Sequence, residues 1–374
     1  VGHLGIAKEE VYRALAGRLH QNPVGAPFSE TLMQILKIIY TEQEAKVGSR
    51  FPAWFTTLDK LLAATGLTEP ELLGHLDNMA AKGLVMDFKR DRNTYYMLSP
   101  MVIGFMEYTF MRTDGPLPLK ELAELFEKYH HEHGVAEEFF GGETKMMQTW
   151  AYESLLPVEV ETEVLDYEKA SRMIREAGGG ALSLCYCRHQ KAHLGKACDA
   201  PMEDVCTSLG AAAEWLVRRG FARPATADDL LRVLERTEEL GLVHLGDNVQ
   251  QRPAYICHCC GCCCGVLRSM NEDHSRMSVQ PSNFILYIDT GACTGCGRCA
   301  KKCHIGAITV TETVAVSGNS KKAVLAENRC IGCGACVRSC EKSALFLRQR
   351  REIHVPPKNK KEQMIKIAIE KGRV

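Results

Sequence analysis

An α+β chain of several domains is what this sequence predicts, and three observations carry the prediction. The first 112 residues alternate short helical periods with one hairpin pattern and hold no cysteine. All eighteen cysteines lie between Cys185 and Cys340, in tight groups. The last eight of them repeat one spacing, each cysteine of the second set lying 37 residues after its counterpart. A chain of 374 residues is long enough for two or three cores. The expected divisions are 1–112, a helical and cysteine-rich region over 113–282, the repeat over 283–348, and a basic tail over 349–374 with Lys358, Lys360, Lys361 and Lys366 on a final helix.

The chain opens on an amphipathic helix. Leu58–Gly66 reads as a short helix stopped by glycine. Thr68 and Glu71 form a capping box before a second helix, whose Leu72, Leu76, Met79 and Ala80 share one face and which stops at Gly83. Leu84–Phe88, a charged turn over Lys89–Asn93, and Thr94–Leu98 then read as a β-hairpin. Helix, turn, helix, hairpin is the winged-helix pattern. Further on, helices are expected over Leu119–Tyr129, Asp166–Ala177, Ser208–Arg219 and Asp228–Gly241, the last with a capping pattern from Thr226 to Asp229. Gly178–Gly180 is a helix stop before a strand-like Ala181–Cys187, and it is not a phosphate loop, since no Lys-Ser/Thr follows. A cysteine-crowded strand and turn, Ile256–Gly265, ends the middle region.

Lys+Arg and Asp+Glu are balanced at 46 each, so charge argues neither for nor against a nucleic-acid partner. No apolar run approaches the roughly 20 residues of a membrane span, and no secretory signal stands at the start, so a soluble cytoplasmic protein is expected. Cysteines crowded into groups suit thiolate ligation in a reducing compartment better than a disulfide scaffold.

The regular spacing is Cys293-x2-Cys296-x2-Cys299-x3-Cys303, followed by Cys330-x2-Cys333-x2-Cys336-x3-Cys340. Zinc favours two pairs of ligands on separate knuckles, whereas three thiolates at every third position can wrap three corners of an iron–sulfur cube, with the fourth reaching a neighbouring cube. One cluster is therefore expected on Cys293, Cys296, Cys299 and Cys340, and a second on Cys330, Cys333, Cys336 and Cys303. Gly295, Gly297, Gly332 and Gly334 let each loop curl and turn backbone N–H groups toward sulfur. This segment of about 65 residues resembles the bacterial two-[4Fe–4S] ferredoxins. It departs from them where that family usually has proline after the fourth cysteine: His304 and Glu341 stand there. His304 is expected to be a surface or capping residue.

Ten cysteines remain. A third cluster is expected on Cys185, Cys187, Cys198 and Cys206, and a fourth on a subset of Cys257, Cys259, Cys260, Cys262, Cys263 and Cys264. Ligation mixed between the two groups is an open alternative, as is zinc. Up to four [4Fe–4S] clusters would result. His189, His193 and His258 are minor candidates as ligands, and no Cys-x-x-Cys-His for a c-type haem occurs. The order of winged helix, Cys-x-Cys-Arg, Cys-x2-Pro-x4-Cys, Cys-Cys-Gly-Cys-Cys-Cys-Gly-Val-Leu-Arg and cysteine repeat resembles a group of cytosolic 4Fe–4S proteins of strict anaerobes, which implies an electron-transfer subunit.

No dinucleotide fingerprint, nucleophile elbow or paired acid–base set is present, so no catalytic residue is assigned. The expectation is a non-catalytic electron-transfer subunit that serves a catalytic or flavin-containing redox partner. A redox-sensing winged-helix transcription regulator is the alternative. Against it, the second helix carries Glu69, Glu71 and Asp77 with a single Lys82 and no arginine, which ill suits phosphate and guanine contacts. The N-terminal unit is expected to dock a partner or a second copy of the chain.

Overall fold

A computed structural model of the chain describes residues 2–156, 169–274, 276–315 and 318–373. It is an α+β structure. Five helices come first: α1 (Gly2–His20), α2 (Glu30–Ile39), α3 (Glu42–Ser49), α4 (Leu58–Thr65) and α5 (Glu69–Ala81). Gly66 ends α4 in the left-handed region at φ 70°, and the Thr68–Glu71 capping box starts α5. Leu72, Leu76, Met79 and Ala80 are the buried face of α5, as their spacing predicts. The hairpin of β1 (Val85–Arg90) and β2 (Asn93–Leu98) follows, turning at Asp91 with φ 56°. Thr56 adds a bridge to Tyr96 on the outer side of β2.

α6 (Met106–Phe110), α7 (Leu119–His130) and α8 (Val135–Phe140) lead into the middle region, and here the sequence misleads. Its centre is not a helical assembly but a six-stranded antiparallel sheet in the order β3-β7-β8-β5-β4-β6. The strands are β3 (Met147–Trp150), β4 (Gly179–Ser183), β5 (Cys206–Leu209), β6 (Arg223–Thr226), β7 (Val243–Asp247) and β8 (Tyr255–Cys259). Three of them have only four residues, and β7 is buried on both faces, so no alternation of polar and apolar residues advertises them. Four helices accompany the sheet: α9 (Ala170–Ala177), α10 (Tyr186–His193), α11 (Gly210–Arg218) and α12 (Ala227–Glu239). The expected start of α9 at Asp166 lies outside the described residues. Leu182 and Ile256 of the sheet pack with Ile174 of α9 and Leu230 of α12 in one core.

After α13 (Gly265–Glu272), the cysteine repeat is closed by β9 (Phe284–Ile288) pairing antiparallel with β12 (Leu345–Gln349). Between them stand α14 (Arg298–Lys302) and a hairpin of β10 (Ile308–Ala315) and β11 (Gly318–Leu325). The tail is no loose basic extension. In α15 (Lys360–Glu370), Ile367 is buried and Gln363 donates to the carbonyls of Met146 and Asn248 at 3.0 and 3.2 Å.

The N-terminal unit is fastened to the middle region of its own chain. Asp87 of β1 accepts from Trp215 Nε1 at 3.0 Å and pairs with Arg218 and Arg219, at 2.6 and 2.8 Å. Arg219 also reaches Asp77 on α5. Among the described residues, no helix is long and apolar enough to cross a membrane.

Candidate iron–sulfur centres

The two halves of the repeat fold alike down to single hydrogen bonds. Gly295 and Gly332 are equivalent, with φ 67° and 69°, and so are Gly297 and Gly334, with φ 77° and 89°. Ala307 N–H donates to Cys303 Sγ at 3.2 Å, and its counterpart Ala344 N–H donates to Cys340 Sγ at 3.4 Å. Cys293 Sγ accepts from Gly295 and from Ala323 at 3.4 and 3.5 Å. The glycine pattern foretold one of these donors. The alanines were not foreseen, although the 37-residue repeat relates Ala307 to Ala344. Such N–H···S bonds stabilise charge on sulfur and raise a cluster's potential.

Cys303, Cys330, Cys333 and Cys336 line one apolar cavity, walled by Leu286, Ile305, Ile308 and Leu347. Burial pushes the Cys333 thiol up to about 12 and raises Cys330 and Cys336 as well. A bound metal that displaces the protons removes that penalty. Around the first loop, Cys299 lies near Cys293 and Cys296, and Arg298 lies near both Cys296 and Cys340. Arg298 pairs with Glu341, the residue in the place of the usual proline. The two loops differ in exposure: Cys296 is open to solvent, whereas Cys330 and Cys336 are buried. The β10–β11 hairpin covers the first loop, with Lys322 Nζ on the Cys293 carbonyl at 2.6 Å. The residues present fit two cubes: eight thiols in two sets, N–H groups aimed at sulfur, and a glycine whose Cβ would overlap the Lys321 carbonyl.

The ten middle cysteines come together across the two sequence groups, in the mixed arrangement and not in the first-named partition. Cys198 does not join Cys185, Cys187 and Cys206. Its sulfur stands with those of Cys260, Cys262 and Cys263, all four within 4.8 Å of one another. This group could hold a further metal centre. Cys198 is on the loop after α10, and the other three are on the turn after β8. A hydrogen bond from Cys263 and the charge of Arg188 hold the Cys260 thiol below its ordinary range.

The remaining six run in a chain of sulfur contacts: Cys185 to Cys187, Cys187 to Cys264, Cys264 to Cys259, Cys259 to Cys257, and Cys257 to Cys206. They line one shared cavity, which Cys260 also borders. Strand pairing and the start of α10 place five of them. Cys257 and Cys259 are two apart on β8 and share its inner face. Cys206 on β5 is the direct register partner of Cys257. Cys185 and Cys187 face the same cavity by a different route from the expected strand: β4 stops at Ser183, and the two flank the first residue of α10. Sulfur–sulfur hydrogen bonds and burial push Cys185, Cys257 and Cys259 well above the ordinary thiol range.

The histidines stand apart from these thiols. His258 points off the opposite face of β8, where its Nδ1 meets Thr237 Oγ1 at 2.9 Å. His189 Nδ1 meets the Phe110 carbonyl at 2.8 Å, and His193 meets His189. His304 is half-buried, with both ring nitrogens engaged. Its Nδ1 accepts from the Gly261 amide at 3.1 Å, and its Nε2 donates to the Gly241 carbonyl at 2.7 Å. Asn271 donates to the carbonyls of both Gly261 and His304, at 3.2 and 2.9 Å. The residue after Cys303 thus touches the glycine between Cys260 and Cys262. Sequence reasoning saw the missing proline but not this partner, 43 residues away.

Residues 292–344 match the family described as "4Fe-4S dicluster domain". Neither the curated proteins nor the solved structures contain a match to the chain. The dicluster domain implies two [4Fe–4S] clusters and electron transfer through them.

Proposed function

We propose that the chain is the electron-transfer subunit of a larger oxidoreductase, relaying single electrons from the six-thiol cavity of the middle region through the dicluster domain to its surface. Three clusters would form the relay. One lies in the six-thiol cavity, one on Cys330, Cys333, Cys336 and Cys303, and one on Cys293, Cys296, Cys299 and Cys340. The observation that carries this reading is the His304–Gly261 hydrogen bond, which joins the residue after Cys303 to the cysteine turn of the middle region. The exposure of Cys296 supports an outlet at the first loop, where a partner can approach.

In this reading residues 1–112, with their helix–helix–hairpin order, are a winged-helix-like docking unit. Its hairpin is engaged by α11 through Asp87, and α5 keeps its acidic residues, which speaks for docking over DNA reading. A catalytic or flavin-containing subunit in a reducing, cytoplasmic setting is the partner this reading calls for.

Iron and acid-labile sulfide analysis of the anaerobically purified chain, with EPR during stepwise reduction, tests the relay. About twelve irons and three reducible centres per chain are expected. About eight irons with two centres would overturn the third cluster, and failure of the centres to exchange electrons would overturn the relay.

A further inference from the structure

The four-cysteine group has a geometry that the cube-binding sets of the same chain lack. Cys198 Sγ lies 3.6 Å from Cys260 Sγ and 3.8 Å from Cys263 Sγ, and Cys262 Sγ lies 3.8 Å from Cys263 Sγ. A single tetrahedral ion with metal–sulfur bonds of about 2.3 Å holds its four sulfurs about 3.8 Å apart, the edge of the tetrahedron. A cube sets each cysteine on its own iron at a separate corner, so its cysteine sulfurs stand farther apart. Among the described residues, none of the eight cysteines of the repeat, and none of the six in the other cavity, joins a comparable close group. Disulfides do not account for the contacts either. A disulfide needs sulfurs about 2.05 Å apart, and all four cysteines are free.

We infer that Cys198, Cys260, Cys262 and Cys263 bind one thiophilic divalent ion, zinc or iron, in a mononuclear tetrathiolate site. Binding displaces a proton from each cysteine that is still a thiol and forms four metal–sulfur bonds, with no change of oxidation state. Four thiolates and a divalent ion leave two negative charges. Arg188, buried and near Cys260, offsets part of them. Cys262 is exposed, which gives the ion a way in. The ion staples the loop after α10 to the turn after β8, two segments that share no strand pairing at these cysteines. Gly261 lies inside that turn, and its amide is the one bound by His304. The staple therefore fixes the surface against which the dicluster domain is seated. This site stands on its own geometry and does not depend on the relay proposed above.

The test compares the full chain, purified anaerobically, with the double variant Cys198→Ser/Cys262→Ser, measuring zinc, iron and acid-labile sulfide in both. The variant is expected to lose one metal ion per chain with sulfide unchanged. Loss of about four irons with equal sulfide would show a cube instead, and no metal loss would show an empty site; either overturns the inference. Should the variant fail to fold, the unmodified chain answers the question. If it contains zinc, X-ray absorption is expected to find four sulfurs at about 2.3 Å and no neighbouring metal. If the ion is iron, the oxidised chain is expected to show a mononuclear high-spin ferric EPR signal. The absence of both zinc and that signal overturns the site. Iron analysis of the other fourteen cysteines bears on the relay alone, so the two proposals fail separately.

Discussion

Replacing His304 by alanine should loosen the junction between the dicluster domain and the middle region without touching a thiol. The substitution removes two hydrogen bonds, from the Gly261 amide at 3.1 Å and to the Gly241 carbonyl at 2.7 Å. Each is worth about 0.5–1.5 kcal/mol net, so the pair contributes about 2 kcal/mol. Both Asn271 contacts survive, which keeps the junction from parting altogether. A loss of about 2 kcal/mol in local stability is about a 30-fold rise in the open population. Native-state hydrogen exchange under anaerobic conditions reads this directly. Peptides over 257–264 and around 241 should exchange about 30-fold faster, while those from α2 should be unchanged. His304→Pro, which restores the usual ferredoxin residue, should behave like alanine because proline offers neither ring nitrogen. Exchange within about threefold of the parent in 257–264 would refute the reasoning, since the Gly261 amide would then be held by something other than His304.

Asp87→Ala should destabilise the chain by about 2–3 kcal/mol. This is less than the roughly 3–5 kcal/mol of a fully buried pair, because Arg218 and Arg219 keep some water, and thermal unfolding would report it. Glu127 should make the protein acid-sensitive. Burial raises its pKa, but hydrogen bonds and charge from Arg268 and Lys191 outweigh burial and hold it at about 2. Its folded pKa lies below the unfolded one, so its contribution is present above about 4.5 and is lost as pH falls toward 2. Glu127→Gln should flatten the acid limb of a stability–pH profile over that window. Gly295→Ala should release iron from the first loop, because the left-handed φ costs about 1–2 kcal/mol and the new Cβ also overlaps the Lys321 carbonyl. Gly66→Ala, at nearly the same φ but facing open space, is the control, and equal iron content in the two variants would sink the clash argument.

What was legible in the sequence was local. Thr68 with Glu71 and Thr226 with Asp229 mark helix starts because a capping box is complete within four residues. Gly178 marks a helix stop because only a left-handed residue fits there. The 37-residue repeat exposed the dicluster domain because both halves obey the same loop geometry. The partition of the middle cysteines is not local. Cys198 and Cys260 are 62 residues apart, and strand pairing of β5 with β8 decides which thiols share a cavity. Alternation along β8 was readable and does separate His258 from Cys257 and Cys259. Which cysteines of other segments would meet that face depended on a sheet whose four-residue strands leave no periodic trace.

The repeat is symmetric in sequence and unsymmetric in surroundings, and this sets an order of potentials. Reducing a cluster with four thiolates adds negative charge, and low-dielectric surroundings penalise the more highly charged state. Cys330 and Cys336 are buried, and the cavity they share with Cys333 and Cys303 is walled by aliphatic side chains. Cys296 is exposed and Arg298 lies beside Cys296 and Cys340, whereas Lys322 at the Cys293 carbonyl is matched by Arg350 at the Cys330 carbonyl, each at 2.6 Å. Water and Arg298 favour the reduced state at the first loop. The N–H···S bonds of Ala307 and Ala344 occur once in each set and so cancel in the comparison. Cys293 accepts from Gly295 and Ala323, and Cys330 has the matching backbone donors Gly332 and Leu286, so these bonds cancel as well. The cluster on the first loop should therefore be the more easily reduced, and an electron arriving at the buried cluster should run downhill toward the surface. Arg298→Ala should lower the first cluster's midpoint potential and leave the second unchanged in an EPR-monitored titration. A variant that shifts both equally, or a parent chain whose buried cluster reduces first, would show that exposure does not set the order.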